Sequence, residues 1–296
     1  MISKIKKMIN ILRYLKDLNR NINTLITKND LNKSATVSTE SICQDEYNLE
    51  RGLIVSLTTF SKRIYDVHLV IESIARQTLK PNKVILWLDE EEFTCKDLPE
   101  VLKKQVKRGL QIEYCENLRS YKKIIPTLKK YPDSNIITID DDILYPSDMI
   151  DRFVKEHDKN KDLVLCNRGH EIKIDERGKV RNYSQWTHEV KNYQPGRLIF
   201  PTGVGGVFYP SGCFYNEVTQ KEIFMDVAPT ADDVWLKTMT LLAGKYCKII
   251  QRNASFFDEF LLLEESQDIG LLNQNVILGE NDKQISKVFS KYKIRL

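Results

Sequence analysis

Along the chain, apolar residues follow two different spacings. Near the start, Met8, Ile11, Leu15, Leu18, Ile22 and Leu25 step by three and four, the spacing of one face of an α-helix and of a heptad seam. From Gly52 onward the apolar residues come instead as short runs separated by helical stretches. Leu53 to Leu57 is a β-type run, followed by an amphipathic stretch with Val67, Val70, Ile71, Ile74 and Ala75 on one face. After Pro81-Asn82 comes a second run, Val84 to Leu88, ending at Asp89. Residues 98–108 read as helix, 111–114 as strand and 121–130 as helix. Ile136 to Ile139 is a buried-type strand that ends in Asp140-Asp141-Asp142. Strand–helix alternation of this kind predicts an α/β fold with a mostly parallel central sheet. In such sheets ligands bind beyond the carboxyl ends of the strands. Thr58 to Arg63, Asp89 and the aspartate triplet all fall at such ends.

Charge divides the chain unevenly. Residues 1–28 hold seven basic side chains and one acid, so this segment is +6 in a chain whose net charge is +4, and the remainder is slightly acidic. The body is therefore no polyanion binder, and no nucleic-acid partner is expected. Three readings of residues 1–28 stand side by side: a helix packed on its own domain, a short coiled coil that pairs copies of the chain, and a basic helix on an anionic membrane face. The polar stretch 29–50 reads as a linker, and 51–296 as the main domain, with halves at about 51–145 and 146–296. Scarce glycine (12) and proline (9) exclude collagen and low-complexity tethers, and 42% hydrophobic residues exclude disorder throughout. No apolar run is long enough to cross a bilayer, and residues 1–25 lack the apolar core and cleavage site of a signal peptide. Six scattered cysteines without CxxC spacing read as reduced thiols. The expected location is cytoplasmic, with the N-terminal helix as a means of peripheral attachment to the inner face of the membrane.

Two constellations carry chemistry. Three consecutive aspartates repel one another unless a cation or a set of donors compensates. On extended backbone Asp140 and Asp142 point the same way and Asp141 the other. Two convergent carboxylates suit Mg²⁺ or Mn²⁺. The plainer reading is a solvated acidic turn before Pro146. The second constellation joins Gly203, Gly205 and Gly206 to Asp232 and Asp233. The glycines allow close backbone approach. Their spacing matches neither a Walker loop nor GxGxxG. The acids open an apolar helical run, where the helix dipole favours them even without any function.

In order, IVSLTTFSKR, VILWLD, NIITIDDDILYP, PTGVGGVFYPSGCF and ADDVWLKTMTLLAGKYCKII resemble the successive segments of GT-A fold nucleotide-sugar glycosyltransferases. The similarity is to the family 2 inverting enzymes of bacterial cell-surface polysaccharide and lipopolysaccharide synthesis, and it covers roughly residues 52–250. The resemblance implies a Rossmann-like nucleotide-binding half and transfer of a sugar from a nucleoside-diphosphate donor to a saccharide or lipid-linked saccharide. It implies that Asp142 and Asp140 hold Mn²⁺ or Mg²⁺, and that Asp89 meets the base. Thr58, Thr59, Arg63, Lys122, Lys123 and Asp141 would line the donor site. It implies Gly203, Gly205, Gly206, Trp186 and Trp235 on the acceptor side, Asp233 as general base and Asp232 as its orienting neighbour. His170 and His188 are further candidate metal ligands. This chain has Asp232 where many relatives have Glu, which shortens the reach of that carboxylate. Two other readings are a haloacid-dehalogenase-like phosphatase and a non-catalytic GT-A scaffold. The first expects Thr or Val where Leu144 stands. The retained acids argue against the second.

Overall fold

The computed structural model describes residues 2–44, 49–252, 254–263 and 279–296, with the side chains of 2–5 left aside. The expected first strand is β1 (Leu53–Thr58). It pairs in parallel with β2 (Lys83–Asp89) on one side and β4 (Asn135–Thr138) on the other. Outside β2 lies β3 (Leu110–Cys115), also parallel. Beyond β4, β9 (Val207–Tyr209) enters antiparallel, followed by β6 (Val164–Cys166) and β10 (Cys247–Ile249). The seven-stranded order is β10-β6-β9-β4-β1-β2-β3. Two small antiparallel pairs stand outside it: β5 (Ile143–Leu144) with β11 (Leu261–Leu262), and β7 (Gly169–Glu171) with β8 (Ile199–Pro201).

Alternation along the strands sends successive side chains to opposite faces. Leu53, Val55 and Leu57 of β1 join Ile137 and Phe208 in one core, packed under α2 (Val67–Ala75) and α5 (Met149–Lys159). Val164 and Cys166 with Val207 and Tyr209 face a second core. That core is built on α6 (Lys221–Val227), α7 (Asp232–Leu242) and α9 (Glu280–Lys291). On this second face Ser56 and Trp87 both hydrogen-bond the Thr127 hydroxyl at 2.7 Å, so the polar atoms there are satisfied.

Two expectations are corrected. Residues 121–130 do not form one helix. A 3₁₀ turn, Arg119–Lys123, precedes α4 (Ile125–Lys130). Pro126 is the reason: it has no N–H to donate, so it belongs in a first turn rather than a helix interior. The N-terminal helix, α1, does not end at 28 but runs Ile2–Val37, so 29–37 is helix rather than linker. Leu31 and Ala35 are buried one turn apart, at 2% and 1% exposure. The polar residues around them bond across to the body: Ser34 to Glu72 at 2.7 Å, Asn32 to His68 at 3.0 Å and Asp30 to Arg76 at 2.5 Å. Ile42 is fully buried, and its N–H donates to the Arg108 carbonyl at 2.8 Å. Residues 45–48 of the expected linker lie outside the described residues.

The same junction contains a buried ion pair. Arg108, just past α3 (Glu100–Lys107), forks onto Glu72 of α2 at 2.8 and 3.1 Å, and Gln105 adds a third donor at 3.0 Å. Burial alone would raise the Glu72 carboxyl. The hydrogen bonds of Arg108, Ser34 and Gln105 overcome it and hold the group below the usual carboxylate range. α1, α2 and α3 are thus locked together behind the sheet.

Candidate active site

The carboxyl ends of β1 and β4, the loop after β8 and the start of α7 converge on one cavity of about 770 Å³. That volume lies in the range of small-molecule sites. Its wall includes Thr58, Thr59, Arg63, Lys122, Lys123, Asp140, Asp141, Asp142, Gly203, Asp232 and Asp233. The two constellations, about ninety residues apart in the chain, therefore share one space.

The aspartate triplet is divided between two cations. Asp141 is buried and takes Thr59 Oγ1 at 2.7 Å and Arg63 Nη1 at 2.6 Å. Burial raises its carboxyl, while Arg63 and Thr59 pull the other way. The same Arg63 nitrogen reaches Asp142 Oδ2 at 3.1 Å, and the guanidinium lies over the Phe60 ring with its carbon 5.0 Å from the centroid. Asp140 is turned instead to Lys123, 3.0 Å away. The side chains of Asp140 and Asp142 keep 22% and 14% exposure toward the cavity.

Lys123 also links the two constellations. Its ammonium lies 3.2 Å from Asp232 Oδ2, and Asp232 Oδ1 accepts from Ser120 Oγ at 2.8 Å. Burial would lower this lysine, but Asp140, Asp232 and Asp233 together hold it well above its ordinary value. Gly203 donates its backbone N–H to both oxygens of Asp233 at 3.1 Å. A Cβ at Gly203 would stand 2.8 Å from Lys123 Nζ and push that ammonium from its place beside Asp140. Burial, and next the charge of Asp232, push Asp233 up to about 7, against the opposing pull of Lys123 and the Gly203 N–H. A carboxylate that titrates near neutrality, faces a cavity and accepts oriented donors is suited to general-base work.

Other expected site residues lie elsewhere. Asp89 is 2% exposed and outside the cavity wall; it pairs with Lys122 at 3.5 Å and accepts the Glu91 N–H at 3.0 Å. The acid at the end of β2 thus fixes Lys122 from behind. Trp235 is fully buried in α7 with its indole N–H on the Val218 carbonyl at 3.0 Å. Trp186 packs against Tyr183 and Phe200 and donates to the Arg181 carbonyl at 2.9 Å. Neither tryptophan faces the cavity, because each ring fills the second core or its margin. Gly205 and Gly206 shape the loop from outside the wall: a Cβ at Gly205 would fall 2.5 Å from the Phe256 ring. His170 and His188 lie against each other, outside the cavity wall, with ring centroids 4.4 Å apart and planes tilted by 44°. Burial, then Arg168 and His188, lower His170 to about 3.

Sequence reading missed several wall residues. Arg168 reaches the cavity while held by Glu189 at 3.0 Å and Thr202 at 3.3 Å. Ser120, Asn117 and Arg119 come from the 3₁₀ turn and the loop before it, where no periodicity marks them. The Pro126 break was the one local sign that this turn is separate from the helix.

No protein-family model matches the sequence, and no curated protein matches it. Among solved structures, the chain is similar to S. aureus TarS 1-349 in complex with UDP, with 15% identity over 68% of this chain and 58% of that one, at a TM-score of 0.46. For the same protein with UDP-GlcNAc the values are 15%, 70%, 60% and 0.43. For the Pyrobaculum calidifontis mannosyltransferase PcManGT, with GDP-Man and Mn²⁺, they are 13%, 50%, 44% and 0.33. The chain spans less than two thirds of the length of each of these.

The donor chemistry of the cavity bears on a metal. Among the described residues, no group of three or more His, Cys, Asp or Glu is arranged to hold one. Asp140 and Asp142 nevertheless bring two hard oxygen donors to the wall. Five aspartates (Asp140, Asp141, Asp142, Asp232 and Asp233) are set against Arg63 and Lys123 as their near cations. As hard oxygen donors, two such carboxylates would suit a divalent ion that completes its shell with water.

Proposed function

We propose that this chain is a glycosyltransferase of the GT-A kind. It would move a sugar, with inversion, from a nucleoside-diphosphate donor to a hydroxyl of a saccharide or lipid-linked saccharide. The observation that carries the reading is the pairing, in one cavity, of the aspartate triplet with Asp233, a carboxylate that titrates near 7 on a backbone N–H.

In this reading Asp233 takes the proton of the acceptor hydroxyl as that oxygen bonds to the anomeric carbon. The bond from that carbon to the diphosphate oxygen breaks, and the nucleoside diphosphate leaves with the electron pair. Asp232, held by Ser120 and Lys123, lies beside Asp233 and raises its proton affinity. Lys123 limits that rise and keeps the base available at neutral pH. Arg63 and Lys122 would stand on the donor side, where a guanidinium fork suits phosphate oxygens. Asp140 and Asp142 would hold Mn²⁺ or Mg²⁺, which would neutralise the departing diphosphate as a Lewis acid.

The test is calorimetric titration of UDP-, GDP- and dTDP-sugars with Mn²⁺, followed by a transfer assay with the donor that binds. Asp233→Asn should bind donor as the parent does and transfer sugar about 10²–10⁴-fold more slowly. A cavity that takes none of these donors, or an Asp233→Asn protein with full transfer, overturns the reading.

A further inference from the structure

The helical seam read from the sequence is not the face with which α1 meets the body. At 100° per residue, the docked residues Arg20, Thr24, Leu31 and Ala35 centre about 200° from the seam residues. From Met8 to Leu25 the seam residues stay 42–59% exposed. Leu12, Tyr14 and Ile26, at 59%, 67% and 62%, widen the stripe to an arc of about 160°. The apolar stripe of this 36-residue helix therefore faces outward, while Lys16 and Arg20 reach the body from its other side.

These two side chains attach at one place. Lys16 and Arg20 pair with Asp258 at 3.1 and 3.3 Å, and the Arg20 guanidinium carbon lies 5.9 Å from the centroid of Phe257. Both partners belong to the one-turn helix α8 (Phe256–Glu259), and Phe257 is part of the cavity wall. The stripe and the candidate active site are thus separated by the thickness of one helix.

We propose that α1 lies in the plane of an anionic membrane surface with this stripe among the lipid headgroups, holding the cavity beside the bilayer. Charge selects this occupant over a second copy of the chain. The segment 1–28 is +6 with Asp17 as its lone acid, so two copies laid side by side would set like charges together. An anionic surface attracts the same segment. Width points the same way, since a two-stranded seam is narrower than this arc. No described helix is long and apolar enough to cross a membrane, which leaves the in-plane arrangement. Resting on the proposed glycosyl transfer, this placement names a membrane-borne, lipid-linked acceptor.

The experiment is flotation of the full chain with phosphatidylcholine vesicles, with and without 30% phosphatidylglycerol, at low and high salt. The wild-type chain should float with the anionic vesicles, at least tenfold less with neutral ones, and less at high salt. Leu15→Gln with Leu18→Gln should lose binding at least tenfold while its melting temperature stays at the parent value. A Leu15→Trp chain should be quenched by brominated lipid. Absence of flotation, or equal binding by the double variant, overturns the proposal. Vesicle-free multimers that dissociate in the double variant would assign the stripe to self-association and overturn it too. Nucleotide-sugar titration in solution separates the two readings: binding of vesicles without any donor would sink the glycosyltransferase reading and leave the membrane proposal standing.

Discussion

Asp233→Asn should stabilise the protein while slowing its chemistry, and the two effects can be measured on one sample. The fold raises this carboxyl from 3.8 to about 7, which at about 1.4 kcal/mol per pH unit is an upper figure of about 4 kcal/mol against its charged form. The asparagine keeps an acceptor for the Gly203 N–H but adds an amide donor, and an unmet buried donor costs about 1–3 kcal/mol. The net expectation is a gain of about 1–3 kcal/mol above pH 7. The sign follows from linkage: native Asp233 keeps a proton that the unfolded chain has released, so parental stability falls as pH rises from about 4 to about 7. The variant lacks that loss, so its advantage should shrink as pH falls from 7 to 4 and turn into a cost of about 1–3 kcal/mol, that of the unmet amide donor. At about 2–4 °C per kcal/mol, the melting temperature at pH 8 should rise by roughly 2–12 °C. Calorimetric melts at pH 4, 6 and 8 read the stability, and product formation reads the chemistry. The loss of a general base should lower kcat by about 10²–10⁴. A variant that is destabilised by the same amount at all three pH values, or that keeps parental kcat, refutes the assignment of both the titration and the role.

Lys123→Met removes the one cation shared by Asp140 and Asp232, and so should move the base limb of the kcat–pH profile above about 7, with activity partly regained at higher pH; an unmoved limb would detach Lys123 from Asp233. Asp142→Asn should lose the Mn²⁺-dependent part of nucleotide binding in titrations with and without EDTA, while its circular dichroism stays parental. Glu72→Gln leaves Arg108 buried without its carboxylate partner and should cost about 3–5 kcal/mol in urea melts. Because the fold holds Glu72 low, the stabilisation it gives the parent is present above the unfolded carboxyl value and is lost as pH falls through the native one. Gly205→Ala combines a φ of +90° with a Cβ 2.5 Å from the Phe256 ring, and should cost about 2 kcal/mol or more by the same assay.

The order of strands β1 to β4, the placing of the triplet at a strand end and the start of α7 were legible because each rests on local signals. These are β-type runs, a proline or an asparagine at a break, and acids at a helix start. Asp89, Trp186 and Trp235 lie outside the cavity wall, which their sequence context does not reveal for one common reason. A strand-end acid and a tryptophan look alike in sequence whether they face a ligand or a neighbouring element. Here Lys122 stands in front of Asp89, and both indoles find carbonyl partners in the protein. The linker reading of 29–37 failed because polar composition was taken for solvent exposure, while Ser34 and Asn32 use their polarity to bind Glu72 and His68.

What the sequence alone determined is the set of elements, their alternation and the concentration of positive charge in residues 1–28, since each depends on neighbours a few residues away. The tertiary structure decided which charges meet. Lys123 sits between Asp140 and Asp232, and Gly203 reaches Asp233, only because β4, the loop after β8 and α7 end at the same edge of the sheet. The proton affinity of Asp233 is a sum over burial and charges that the chain separates by up to about a hundred residues. The side of α1 that stays exposed was decided in the same way, by Asp258 and α2 taking the opposite face.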